Sequence, residues 1–410
     1  MQRHSPDQLL DELTSADDLL IVQDLDGVCM QLVKDPLTRS IDPSYVRSVA
    51  AMEGAFAVLT NGEHEGRRGV NRLVESALGD VSLPGRDGLY LPGLAAGGVQ
   101  FQDRFGNLSH PGVSAAEMAF LAAAPSRMEQ LLLEQLPVLL PQLTAAQCGA
   151  LASAAVLDTQ VSPTINLNGI FDQVPGDVAR QRALQHMLEQ LMQQLLDEAA
   201  AKGLETSFFL HVAPNLGRDA DGRERSKPAV RGDVGTTDIQ FMLTGSLKEA
   251  GLLVLINRHI ARRDGVFPLG DDFNVRTAPR DHAGLMDLAR TRLPLDRMPL
   301  LVGVGDTVTS IPAPDGNGWL RGGSDRGFLT LLKALGSASG QANRVILVDS
   351  SHGEVDRPSF ADGRLDGITD PEDPLTLDLL MPEGPEQYIS WFQQLAQRRR
   401  AAAQSIPASV

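Results

Sequence analysis

The segment Leu19-Leu20-Ile21-Val22-Gln23-Asp24-Leu25-Asp26-Gly27-Val28 constrains this chain more than any other. Its apolar first half reads as a buried strand, Leu19 to Asp24, and it delivers two aspartates into a glycine turn. Residues i and i+2 of a strand point the same way, so Asp24 and Asp26 are expected to face one another. They would do so at a strand's carboxyl end, where open α/β sheets keep their sites. Two carboxylates that close repel unless a cation or a proton lies between them. Mg²⁺ is the usual hard, oxygen-seeking partner. The pair is therefore expected to hold a metal and to present a carboxylate nucleophile.

The rest of the N-terminal region repeats the strand–helix rhythm of a doubly wound sheet. Residues 43–52 read as a helix and 55–59 as a short apolar strand running into Thr60-Asn61-Gly62. A helix is expected over 65–77, with Val70, Leu73, Val74 and Ala77 on one face. The glycine- and proline-rich stretch 84–98 reads as a boundary, and 98–108 as a hairpin. Long helices over 115–140 and 179–201 and strands over 206–212 and 238–243 then suggest a separate α+β module. The rhythm resumes with a helix over 248–259, a strand over 299–304, a helix over 327–335, a strand over 344–348 and a helix over 385–398. A frayed tail is expected from Ala401. The expected division is core 1–99, inserted domain 100–245 and core 246–410.

Bulk properties exclude several classes. The 410 residues carry a formal charge of −16, which argues against nucleic acid as the main partner. Cys29 and Cys148 are the only cysteines. With no disulfide framework, and a polar, acidic Met1–Asp17 stretch unlike a signal peptide, a reducing cytoplasm is the expected setting. No apolar run reaches bilayer-spanning length. The histidines show no metal-binding spacing, and there is no phosphate-binding Gly-x-x-x-x-Gly-Lys-Ser/Thr loop. Gly270-Asp271-Asp272-Phe273 imitates an acidic metal motif, but the proline in its lead-in makes a poor strand, so it reads as a surface loop.

Four pieces follow one another in order, each at a strand or helix end. They are Asp24-Leu25-Asp26-Gly27-Val28, Leu59-Thr60-Asn61-Gly62, Gly245-Ser246-Leu247-Lys248-Glu249-Ala250 and Val304-Gly305-Asp306-Thr307. In this order they resemble the haloacid dehalogenase superfamily of phosphatases. Taken singly, the later pieces are a helix cap, a surface lysine and a strand-end turn as readily as a site. The resemblance implies an α/β fold: a doubly wound, mostly parallel Rossmann-like core with an inserted α+β cap that closes over it. It implies that Asp24 attacks phosphorus and that Asp26 acts as acid and base. Thr60 and Asn61 would bind phosphate, with backbone N–H groups near a helix start. Lys248 would add positive charge, with Lys227 as the competing candidate. Asp24, Asp26 and Asp306 would hold Mg²⁺. The family also offers a second acid shortly after the position of Asp306. Here the neighbours are Thr307, Thr309 and Ser310 and the next acid is Asp315, so a hydroxyl, a water or the later Asp325 is left to fill that place.

Across most of its length the chain further resembles the cyanobacterial glucosylglycerol-3-phosphate phosphatases. Gln23 to Leu37 and Gly303 to Ser310 carry that likeness. It implies release of a compatible solute, glucosylglycerol, from its phosphate in salt-stressed cells. It is compatible with a complex with the matching glucosylglycerol-phosphate synthase. A phosphatase of trehalose or sucrose phosphate would use identical motifs. A non-catalytic regulator of a sugar-phosphate synthase is the reading from another class, and the intact Asp24/Asp26 pair argues against it.

Overall fold

The computed structural model describes residues 4–313 and 316–405, and the chain divides into two units. The first comprises the residues up to Gly112, Leu247–Val308 and those from Asp325 onward. Its centre is the strand β1 (Leu19–Gln23), in which every residue is buried. β2 (Phe56–Leu59) pairs with it in parallel, followed outward by β3 (Gly93–Ala95), β4 (Gln100–Gln102) and β5 (Leu108–Ser109). On its other side lie β6 (Leu300–Gly305), β7 (Arg344–Val348) and β8 (Leu379–Met381), so the order is β8-β7-β6-β1-β2-β3-β4-β5. The strands from β8 to β3 are parallel, whereas β4 and β5 form an antiparallel edge. Chain order reverses between β1 and β6, and this places the topological switch point between their carboxyl ends.

Both faces of the sheet are covered, which is why β1 is apolar throughout rather than alternating. On one face α1 (Pro43–Ala51) and α4 (Pro385–Ser405) pack with Val302, Val304 and Ile21 in a continuous core. The rings of Tyr45 and Phe56 stand 5.2 and 5.5 Å from that of Phe392. Gln23 adds a polar tie, accepting from Tyr45 (2.9 Å) and Tyr388 (2.6 Å). On the opposite face α2 (Lys248–Asp264) lies over β1 to β3, and α3 (Arg326–Ser339) lies over β6. Gly303 permits that approach, because a Cβ there would stand 2.6 Å from a methyl carbon of Leu329.

The second unit comprises Val113–Ser246 and Thr309–Ser324. A four-stranded antiparallel sheet runs in the order Val156–Leu157, Thr164–Asn166, Asp238–Leu243, Phe208–Ala213. The helices Ala115–Leu139 and Val178–Ala200 accompany it. Phe120, Phe208 and Phe241 form a ring cluster with centroids 4.8–5.7 Å apart. Buried Glu224 pairs with His211 at 2.9 Å, which helps hold its carboxyl below the ordinary glutamate value against the opposing effect of burial.

Several expectations change. The hairpin near residue 100 continues the core sheet through β3, because Leu94 registers with Phe101, so residues 100–112 belong to the first unit. Residues 309–324, assigned by sequence to the core, form the hairpin Thr309–Pro312/Trp319–Gly322 of the second unit. They are tied there by Thr309 donating to the Asn215 carbonyl (2.9 Å) and by Gly323 N–H donating to Asn215 Oδ1 (3.2 Å). The helix expected from Glu65 starts at Val70, because the N–H groups of Val70 and Asn71 donate back to Glu63 and His64. The tail expected from Ala401 is helical to Ser405. Residues 406–410 and Asp315 lie outside the described residues.

Candidate active site

The carboxyl ends of β1 and β6 bring Asp24 and Asp306 together. Asp24 directly follows β1, and its N–H donates to the Val304 carbonyl (2.9 Å), so the ladder itself sets its position. Asp306 directly follows β6, and its N–H donates to Asp325 Oδ2. Asp325, immediately before α3, completes a trio in which one carboxylate oxygen from each residue lies within 4.8 Å of the others. Lys248, the first residue of α2, donates to Asp24 Oδ2 at 2.6 Å and to Asp325 Oδ1 at 2.7 Å. A cation at a helix N-terminus works against the helix dipole. The two carboxylates offset that cost and hold a fully enclosed ammonium in place.

The hydrogen bonds of the trio are nearly complete. Asp24 Oδ1 accepts from Leu25 N–H at 2.8 Å. Asp325 Oδ2 accepts from the N–H groups of Asp306 and Thr307, both at 3.0 Å. Asp306 Oδ1 accepts from the Thr307 hydroxyl at 2.9 Å. Asp306 Oδ2 is the exception: it is buried and has no hydrogen-bond partner. Gly27 stands over it, and a Cβ there would come within 2.3 Å of this oxygen. Glycine is thus required at position 27 both by that contact and by its φ of 78°.

Two of the three carboxylates share the one ammonium and Asp306 has none, so the cluster carries excess negative charge in an enclosed place. Burial pushes the Asp306 carboxyl up to about 8, reinforced by the charges of Asp325 and Asp24. Burial likewise raises Asp24 to about 7, although Lys248 opposes the shift. Burial alone would favour neutral Lys248, yet Asp24 and Asp325 hold it above the ordinary lysine value. An orphaned oxygen among three close carboxylates suits a hard divalent cation, so the residues present fit the group expected from the sequence.

Asp26 does not join the trio. β1 ends at Gln23, and the chain turns at once, with Gly27 N–H donating to the Met30 carbonyl and Cys29 N–H to that of Leu25. Asp26 therefore lies on a turn, and the same-side rule for strands does not apply to it. Its carboxylate is held by Arg39, whose Nη1 donates to both oxygens (3.0 and 2.8 Å). Thr60 is buried, and its Oγ1 accepts from Gly62 N–H at 3.2 Å. Asp26 Oδ2, Thr60 Oγ1 and Arg39 Nη1 all lie within 4.0 Å of where a side chain at Gly62 would begin. A second group thus gathers beside the half-buried Asn61. The loop after Thr60 is not a helix N-terminus, since the next helix begins at Val70.

The two lysine candidates separate. Lys248 is in the trio, whereas Lys227 pairs with Asp233 (2.6 Å) in the second unit. Among the candidates for the last acid, Asp325 is the one brought to Asp306. Asp271 and Asp272 are exposed. His64 is fully enclosed, with Gly93 O and Gln102 Nε2 each 3.4 Å from its ring nitrogens. Tyr45 is in the core, and Arg326 is bound to Asp373 at 2.8 Å. Sequence reasoning missed Arg39, which lies beyond the motif in a stretch with no periodicity to read.

The profile of the glucosylglycerol-phosphate phosphatase family matches residues 18–396 of this chain. The chain belongs to that family. It is 47% identical over 400 residues to the glucosylglycerol-phosphate phosphatase of Synechocystis sp., covering 95% of this chain and 94% of that protein. The family makes the chain a phosphatase, a phosphoric monoester hydrolase. Among solved structures it is similar to trehalose-6-phosphate phosphatase from Aspergillus fumigatus (12% identity, 97% and 99% of the two chains, TM-score 0.39). It is also similar to the C-terminal domain of the C. albicans enzyme (11% identity, 96% and 97%, TM-score 0.45). No helix among the described residues is long and apolar enough to cross a membrane.

Proposed function

We propose that this protein hydrolyses glucosylglycerol 3-phosphate to glucosylglycerol and phosphate, with Mg²⁺ as its cofactor. The observation that carries the mechanism is the Asp24–Lys248–Asp325–Asp306 cluster with its orphaned Asp306 oxygen. The relative from Synechocystis sp. supplies the substrate.

An Asp24 oxygen attacks phosphorus as the bond to the leaving alkoxide breaks, giving an aspartyl-phosphate and dividing one hard step into two. Asp26 donates a proton to the alkoxide and later takes one from the water that attacks phosphorus, which frees Asp24 and inorganic phosphate. Before it can donate, Asp26 must take up a proton and yield its contact with Arg39. The Thr60 hydroxyl accepts from Gly62 N–H, which leaves its proton for a phosphate oxygen. Lys248 holds Asp24 in line and adds positive charge to the transferring group. Bound by Asp24 and Asp306, with Asp325 behind them, Mg²⁺ would supply the charge neutralisation that lets a carboxylate approach a phosphate.

The buried free cysteines Cys29 and Cys148 suit a cytoplasmic enzyme. A complex with glucosylglycerol-phosphate synthase is consistent with a substrate handed between two enzymes. The test is phosphate release by purified protein, with Mg²⁺ or with chelator, from glucosylglycerol 3-phosphate, trehalose 6-phosphate and sucrose 6-phosphate. Preferential Mg²⁺-dependent release from the first is expected. Preference for either disaccharide phosphate would overturn the substrate assignment while leaving the chemistry intact. Release from none would favour a regulatory role.

A further inference from the structure

A second site lies within the first unit, away from the carboxyl ends of the strands. Between the later turns of α2 and the strands β1, β2 and β4 there is a cavity of about 280 Å³. This is near the small end of ligand pockets. Leu20, Phe56, Ala57 and Leu255 give it apolar walls. Arg258 and Arg262, from α2, also line it.

Arg258 is the informative residue. Its guanidinium carbon stands 3.8 Å from the centre of the Phe101 ring, so the group is fixed by stacking. It makes no ion pair or hydrogen bond among the described residues. Half-buried arginines ordinarily find an acid, because an unpaired charge away from water is costly. Burial already holds Arg258 below the ordinary arginine value. The acids of the lining are engaged by groups other than Arg258 and Arg262. Glu53 is paired with Arg104, which also lines the cavity, and Asp103 accepts from the N–H groups of Phe105 and Asn107 in its own turn. Among the described residues Arg262 donates only to the Gly54 carbonyl. His259 is engaged with Asp18 at 2.6 Å. The cavity thus holds two guanidinium groups without an acid partner, on a chain of net charge −16.

We propose that this cavity binds a small organic anion, a carboxylate or phosphate group on a compact apolar body, with Arg258 pairing its charge. The apolar walls take the body and the guanidinium stacked on Phe101 takes the anionic end. The site is separate from the catalytic one: Arg258 lies ten residues along α2 from Lys248, roughly 15 Å at the helical rise.

The test uses the full chain and 2-naphthoate as probe, followed by titration calorimetry, with the neutral 2-naphthalenemethanol as control. One saturable site for naphthoate is expected, with the alcohol binding more weakly. Arg258→Gln is expected to weaken naphthoate about tenfold or more, as for loss of a charged hydrogen bond. Its thermal midpoint should change little, because loss of the stacking on Phe101 is offset by removal of an unpaired, partly buried charge. Arg258→Lys, which keeps the charge, should retain most of the binding. Absence of saturable binding overturns the proposal. So does equal affinity for the alcohol, a result that needs no variant. Unchanged naphthoate affinity in Arg258→Gln would place the probe elsewhere, the catalytic cluster included, and would equally overturn it.

Discussion

Asp306→Asn should stabilise the metal-free protein and abolish its response to Mg²⁺. Asp306 has an enclosed oxygen without a partner, and its carboxyl is raised from 3.8 to about 8. The folded state therefore keeps a proton that the unfolded chain has already lost. An acid whose folded value is raised contributes stability at low pH that is lost as pH rises through its folded value. Each pH unit between the two values costs about 1.4 kcal/mol, so the penalty at pH 7 reaches about 4 kcal/mol at most. At about 2 °C per kcal/mol for a unit of this size, that corresponds to roughly 8 °C in the thermal midpoint. The assay is thermal unfolding from pH 5.5 to 8, with chelator or with Mg²⁺. In the unaltered protein the stabilisation by Mg²⁺ should grow with pH, since the cation replaces a proton. In Asp306→Asn the chelator curve should lie higher and the Mg²⁺ increment should vanish. An unchanged Mg²⁺ increment in the variant would refute the assignment of Asp306 to the cation site.

Three further outcomes follow from individual contacts. Lys248→Met leaves Asp24 and Asp325 without their shared cation; it should cost about 3–5 kcal/mol in denaturant unfolding of the metal-free protein and remove phosphate release. Gly27→Ala forces a residue with φ of 78° to place a Cβ 2.3 Å from Asp306 Oδ2, so about 1–3 kcal/mol of stability should be lost and the Mg²⁺ half-saturation of turnover should rise. His64, lowered by burial from 6.5 to about 4, stays neutral when the unfolded chain has taken up its proton, so its contribution is present above pH 6.5 and fades as pH falls towards 4. His64→Gln should therefore flatten the acid limb of the stability profile by about 3 kcal/mol, read as the difference between variant and unaltered protein in urea unfolding.

The core was legible because its strands are continuous apolar runs. The Phe56–Leu59 and Arg344–Val348 strands fall within one residue of the bounds expected from their apolar runs. Asp24, Lys248 and Asp306 were legible because each follows a strand or opens a helix next to a turn. Asp26 was misplaced because one residue decides whether the strand rule applies, and β1 ends at Gln23 rather than Asp24. The tie between Thr309 and Asn215 joins residues 94 apart in the chain, a separation over which no periodicity operates. Asp325 stands at the far end of that excursion, so its meeting with Asp306 required the fold. Arg39 and the unpaired Arg258 are single side chains whose meaning depends on what surrounds them.

The most direct test of the central claim is acid quenching of turnover with ³²P-labelled glucosylglycerol 3-phosphate and Mg²⁺, followed by peptide mapping. The account predicts a hydroxylamine-labile phosphate on the peptide that contains Asp24, and neither label nor turnover in Asp24→Asn. Turnover that persists in Asp24→Asn, or a labelled group on any other residue, would contradict it.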